Sequence, residues 1–155
     1  MYYDFVRENL GEHWQQGSWF SDDYDEDDNV TDDWAACLGG LLLLAKEGEA
    51  NQSVRNGHGL VSLACTRFIN RAIIELYPDT VEPRYQEDET GLWYIPIEHD
   101  CRLTWSEDLI PRFNDNENVR TSDINKVLDH AEKLEDKHYD ALDALRYFQK
   151  LAINE

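Results

Sequence analysis

Positive charge is what this sequence has least of. Fourteen lysines and arginines face 33 aspartates and glutamates, for a formal net charge of −19. Such a surplus repels phosphate, which argues against nonspecific binding of DNA or RNA and against docking on an anionic membrane surface. Cysteine is sparse and odd in number. Cys37, Cys65 and Cys101 are widely spaced and fit reduced thiols, not a disulfide framework. The first residues, Met1-Tyr-Tyr-Asp-Phe-Val-Arg-Glu-Asn9, lack the basic and apolar regions of a secretory signal. A cytoplasmic protein is therefore expected. The longest apolar run, 38–45, falls far short of the roughly 20 residues that span a bilayer. No phosphate-binding glycine loop, His-Glu-x-x-His, Gly-x-Ser-x-Gly or paired Cys-x-x-Cys occurs, so no motif names a reaction and no cofactor is expected.

What is present suffices for one domain. The chain has 155 residues, 41% apolar and 12% aromatic. That supports a sizeable core. The organising stretch is Trp34-Ala-Ala-Cys-Leu-Gly-Gly-Leu-Leu-Leu-Leu-Ala45, the most apolar window, preceded by the most acidic one. Thr31 or Asp32 would cap a helix running from about Trp34 to Lys46. Asp32 and Asp33 would then sit at the positive end of its dipole. Because the helix is apolar almost all round, it is expected at the centre of the fold. Gly39 and Gly40 suggest close approach by a neighbouring helix backbone.

Other elements follow from periodicity. Tyr3, Val6, Leu10 and Trp14 mark one face of a helix over 2–14, and Gly17 lies beyond its end. A polar connection over 46–59 leads to a helix over 60–76, with Leu60, Leu63, Ala64, Ile69, Ala72, Ile73 and Leu76 facing inward. Residues 92–97 and 101–105 read as a short hairpin turning at 98–100, with Pro96 confining one strand to an edge. A short helix is expected after Thr104, capped by Ser106 and closing near Pro111, followed by a polar loop over 113–120. Thr121 or Ser122 would cap a last helix, or two helices broken near 135–137. Ile124, Val127, Leu128, Ala131 and Leu134 lie on its first face, and Tyr139, Leu142, Leu145, Phe148 and Ala152 continue the stripe. The expected fold is mainly α, a compact helical bundle with a small β-hairpin insertion over 80–104 and a C-terminal helical extension over 136–155. That extension would either cover the domain or pair with a second chain as a homo-oligomer.

The charge is concentrated. Asp22, Asp23, Asp25, Glu26, Asp27, Asp28, Asp32 and Asp33 fall in one run without a base, and residues 82–118 hold ten acids, Glu87, Asp88 and Glu89 among them, against three arginines. The functional reading is a surface that imitates nucleic-acid phosphate and binds a basic protein, including one that handles nucleic acid. The plainer reading is a solvated loop. A calcium loop is a third reading, since Asp23-x-Asp25-x-Asp27 opens like an EF-hand. However, Asp28 stands where glycine is required and Trp34 where glutamate is required. Cys37, early in the central helix, invites a nucleophile reading with His13, His58 or His99 as base and Asn114 as orienter. Its apolar, acid-preceded setting favours a buried structural thiol instead. His99-x-Cys101 offers two metal ligands without the remainder of a zinc site.

Four short pieces carry a resemblance. They are His13-Trp-Gln-Gln-Gly17, Ala36-Cys-Leu-Gly-Gly40, Ile110-Pro-Arg-Phe-Asn-Asp115 and Asp123-x-x-x-Val-Leu-Asp-x-Ala131. In this order they resemble an uncharacterised small domain of unknown function found in actinobacteria and their phages. The pattern touches about two-thirds of the chain; the acidic run, the 80–104 insertion and the extended last helix depart from it. The resemblance implies a cytoplasmic protein encoded by a phage or mobile element, and carries no activity. Trp14, Gly17, Cys37, Gly39, Phe113 and Asn114 would form one corner, with Phe113 packed on the central helix and Asn114 or Asp115 bonding the turn after Gly17. Packing is the preferred role of that corner, and a small-molecule pocket the alternative. The leading functional expectation is a non-enzymatic acidic protein that blocks a basic host protein. The alternatives are a small enzyme with a pocket at Cys37 and an immunity protein that neutralises a basic toxin.

Overall fold

A computed structural model describes residues 2–22, 26–27, 32–81, 84–95 and 106–153. Helix α1 spans Tyr2–His13 and buries Tyr3, Val6 and Leu10, the face that the apolar spacing sets. The chain then makes a two-residue strand β1 (Phe20–Ser21), which pairs antiparallel with β2 (Ala35–Ala36). The acidic run is thus the loop that this pair closes.

Helix α2 spans Leu38–Glu47 and is the centre of the core, with residues 38–43 all buried. It starts four residues later than expected. Residues 34–36 are not helical because Phe20 pairs with Ala36, and the Ala36 carbonyl accepts the Gln15 N–H at 3.0 Å. The helix cap is Cys37, whose Sγ accepts the Gly40 N–H at 3.3 Å. Asp32 and Asp33 therefore lie on the approach to β2, away from the helix end. Gly48 stops the helix in the left-handed conformation, φ 76°.

The glycine pair does mark a close approach, but by a loop residue and not by a helix. A side chain at Gly39 would overlap the Trp19 ring, and one at Gly40 would overlap the Trp19 carbonyl oxygen. Gly57 lies against the same indole, so Trp19 fits into space that three glycines leave open.

The connection after α2 contains a short helix α3 (Gln52–Asn56), capped by Asn51 through its bond from the Val54 N–H at 3.2 Å. The expected helix over 60–76 is interrupted. A 3₁₀ turn covers Leu60–Ser62, and helix α4 covers Thr66–Leu76. Thr66, buried, donates its hydroxyl to the Leu60 carbonyl at 2.5 Å and holds the break. Ala64 and Leu76 consequently turn outward, and Leu60, Leu63, Ile69, Ala72 and Ile73 are buried. Strands β3 (Arg84–Asp88) and β4 (Gly91–Ile95) form an antiparallel hairpin turning at Glu89 and Thr90. The hairpin therefore exists, but β4 pairs with the acidic strand before it. Residues 96–105, including the expected second strand, lie outside the described residues.

Helix α5 spans Leu109–Asp115, so Phe113 and Asn114, expected in a loop, are helical and fully buried. Pro111 sits in its first turn, where a missing N–H costs nothing. Asn70, buried on α4, donates to the Ser106 carbonyl at 2.8 Å and holds the segment that leads in.

Helix α6 is a single element, Thr121–Ile153, unbroken at 135–137. Its cap differs from both candidates: Asp123 reaches back to accept the Arg120 N–H at 2.8 Å, the return half of a capping box. It runs antiparallel to α4, with bonds from Tyr77 to Asp123 (2.9 Å), His130 to Glu75 (2.5 Å) and contact of Arg67 with His138 (3.1 Å). Arg7 ties α1 to it through Asp129 (2.9 Å) and Glu132 (2.5 Å). The fold is mainly α with a small antiparallel hairpin. Among the described residues, no helix is long and apolar enough to cross a membrane.

Candidate functional site

Two regions compete for the role: the corner around Asn114 and the acidic surface. In the corner, the Asn114 carboxamide is saturated. Its oxygen accepts the Trp14 Nε1–H (2.7 Å) and the Leu38 N–H (2.8 Å), and its nitrogen donates to the Gln15 carbonyl (3.0 Å) and to Asp115 (3.0 Å). Asp115 also accepts the Gly17 N–H at 2.8 Å. Gln16 donates to the carbonyls of Asn114 and Asn116, both at 2.9 Å. One buried side chain thus joins the end of α1, the start of α2 and α5, with every polar group satisfied. The structure brings together Trp14, Gly17, Cys37 and Asn114, as the sequence motifs suggested, in a packing arrangement.

A small cleft of about 50 Å³ opens beside this corner, lined by Gly17, Ser18, Trp19, Cys37, Pro111 and Asp115. That is room for about one or two waters, not a substrate. Burial pushes the Cys37 thiol up to about 11, and Asp115 pushes it in the same direction. No imidazole is among the lining residues. His13 instead donates its Nδ1–H to the Trp34 carbonyl at 2.7 Å. The chemistry here is that of a capped, protonated, buried thiol, unlike the electropositive setting that activates a nucleophile.

The acidic loop is held at both ends by one ladder of planar groups. His13 stacks on Trp34 with centroids 3.8 Å apart and planes 2° from parallel. Trp34 stacks on Phe20 at 5.9 Å, and the Arg55 guanidinium lies 5.1 Å over Phe20. Asp22 completes the ladder by a two-pronged ion pair with Arg55, at 2.9 and 3.2 Å. Its side chain is only 8% exposed. Asp22 therefore anchors the start of the acidic run to α3.

Glu26 and Asp27 are exposed in a turn, and Asp32 and Asp33 are exposed before β2. Glu87 and Glu89 are exposed on the hairpin, whose strand β3 also carries Asp88. Asp23, Asp25 and Asp28 lie outside the described residues, as do His99 and Cys101. Among the described residues, no group of three His, Cys, Asp or Glu is placed to hold a metal ion. The hairpin makes no extensive contact with another described element.

Sequence reasoning overlooked Asp4, Glu8 and Glu12. These acids recur every four residues on α1, all exposed, opposite Tyr3, Val6 and Leu10. The signal was the same spacing that revealed the buried face. Each step is about 6 Å along the helix axis. The row ends beside His13, which stacks on Trp34, the residue that follows Asp32 and Asp33 in the chain. Exposed acids thus line one face of α1 and flank β2. Of these acids, Asp4 bonds Arg7 at 3.0 Å.

Compared with protein-family models, curated proteins and solved structures, the chain matches none.

Proposed function

We propose that this chain is a non-enzymatic acidic binding protein that engages a basic surface on another protein. The observation that carries the reading is the row of exposed carboxylates formed by Asp4, Glu8 and Glu12 on α1, with Asp32, Asp33, Glu26 and Asp27 also exposed. The like charges on α1 at i, i+4 spacing disfavour the isolated helix. Glu8 and Glu12 therefore add nothing to the stability of the helix itself. Regular spacing on a rigid helix suits a groove built for a polyanion, so a protein that handles nucleic acid is the partner class, and blocking it the effect. A cytoplasmic setting and a phage or mobile-element origin, as the motif resemblance implies, agree with such a blocker. Neutralising a basic toxin would use the same surface.

The environment of Cys37 speaks against the enzyme alternative, because a thiol near 11 is protonated at neutral pH. The deciding experiment is affinity capture from a host lysate at low salt, with duplex DNA as competitor. A partner captured by the native chain should be released by DNA and by moderate salt. It should be lost from a Glu8→Gln, Glu12→Gln, Asp32→Asn, Asp33→Asn variant. Capture indifferent to salt, DNA and these substitutions would sink the proposal.

A further inference from the structure

The last helix leaves the body at His138, whose ring contacts Phe68 and Arg67. Of residues 139–153, only Leu142 is even half-buried. About 22 Å of helix therefore projects beyond the fold. The projection is strongly apolar: Leu145 is 54% exposed and Phe148 64%. Ala141, Leu145, Phe148 and Ala152 recur in alternating steps of four and three, the spacing of a coiled-coil seam, with Leu142 and Leu151 beside it.

Charge distinguishes this segment from the rest of the chain. It holds Asp140 and Asp143 in its first half and Arg146 and Lys150 in its second, for no net charge in a chain of −19. We propose that the projecting helix pairs antiparallel with that of a second copy, about a two-fold axis near Arg146 and Tyr147. This arrangement aligns each acidic half with the basic half of its partner. It sets Leu145 against Phe148 at the centre and Ala141 against Ala152 on either side, large on large and small on small. It also sends the two acidic bodies out of opposite ends, separated by more than the Debye length of about 8 Å. A parallel pair would align like charges and bring the bodies side by side. The contact is short for a specific interface, so the dimer is reversible and dissociates on dilution through about the micromolar range.

Sedimentation equilibrium of the full chain over that range tests it. The native chain should pass from monomer to dimer. Leu145→Glu with Phe148→Glu should leave a monomer of unchanged helix content. Arg146→Glu with Lys150→Glu should weaken pairing about tenfold, and adding Asp140→Lys with Asp143→Lys should restore it. Nitroxides on Tyr139→Cys, in a Cys101→Ser background, should lie more than about 20 Å apart. A separation near 10 Å, the spacing of adjacent helices, would mean parallel pairing and overturn the proposal. So would a chain that stays monomeric throughout, which would assign the face to a different protein, or a dimer indifferent to Leu145→Glu with Phe148→Glu.

Discussion

The two halves of α6 carry similar apolar stripes and meet opposite fates. In the first, Ile124, Val127, Leu128 and Ala131 are completely buried against the body. In the second, Leu145, Phe148, Leu151 and Ile153 stand exposed. Periodicity therefore states that a face is to be covered, without stating by what. The first half is covered because α4 and α1 lie alongside it. That cover ends where the projection begins: the start of α4 reaches His138 through Arg67 and Phe68. Apolar substitutions should separate the halves most widely. Leu128→Ala should cost about 3–5 kcal/mol, as expected for a fully buried leucine. Leu145→Ala should change monomer stability by less than about 0.5 kcal/mol. Urea unfolding of dilute protein measures both. Equal losses would mean that the second half packs on the body.

A similar contrast divides the polar groups. Asn114 is buried and saturated, and the acids of α1 are exposed. Asn114→Ala would strip the Leu38 N–H, the Trp14 Nε1–H and the Gln15 carbonyl of their partner in a buried site. A loss of about 3 kcal/mol is expected, since each orphaned group costs about 1–3 kcal/mol and water recovers part of it. Thermal or urea unfolding reads this directly. An unchanged stability would return the corner to a ligand-binding role.

Much of the body was legible in the sequence because it is written locally. The α1 face followed from Tyr3, Val6 and Leu10, and the all-round apolar character of 38–43 placed α2 at the centre. What misled was long-range. Thr31 and Asp32 have the chemistry of a helix cap, but pairing of Phe20 with Ala36, sixteen residues away, keeps 34–36 extended and moves the cap to Cys37. The glycine pair correctly signalled a close approach; that the intruder is Trp19 depends on the path of a loop. The pairing of β3 with β4 was not anticipated because β3, with Glu87 and Asp88, has the composition of a loop, and that pairing is set by the turn at Glu89 and Thr90. The corner was visible as residue types, although Phe113 and Asn114 looked like loop residues. Asp22 looked equivalent to its acidic neighbours, and its burial against Arg55, distant in sequence, was not legible there.

Cys37 lets the corner be probed by pH. Burial raises its folded pKa from the ordinary thiol range to about 11. A group with a raised folded pKa contributes stability that is fully present below its unfolded pKa and is lost as pH climbs through the folded value. The native chain should therefore lose about 2 kcal/mol from this thiol between roughly pH 9 and 11. Cys37→Ser should not, because serine does not titrate there, and it should retain the cap. The difference between the two unfolding curves isolates this thiol from every other contribution to the pH dependence. At neutral pH the variant should fold and bind its partner normally. If binding or any activity disappears with the fold intact, Cys37 is more than a cap.

A small stability effect falls on the acids of α1, and its sign is informative. Glu8 and Glu12 are one turn apart on an exposed helix, and like charges at that spacing destabilise by a few tenths of a kcal/mol. Glu12 also stands at the C-terminal end of α1, where the helix dipole disfavours an acid. Replacing both with glutamine should therefore raise stability by about 0.5 kcal/mol, with the gain shrinking as salt screens the repulsion. The same change should weaken capture of a basic partner. Opposite signs for stability and binding are what a surface retained for recognition produces. A glutamine pair that stabilised the chain and bound as before would leave the charge on α1 without a binding role and confine the candidate face to the loop between β1 and β2.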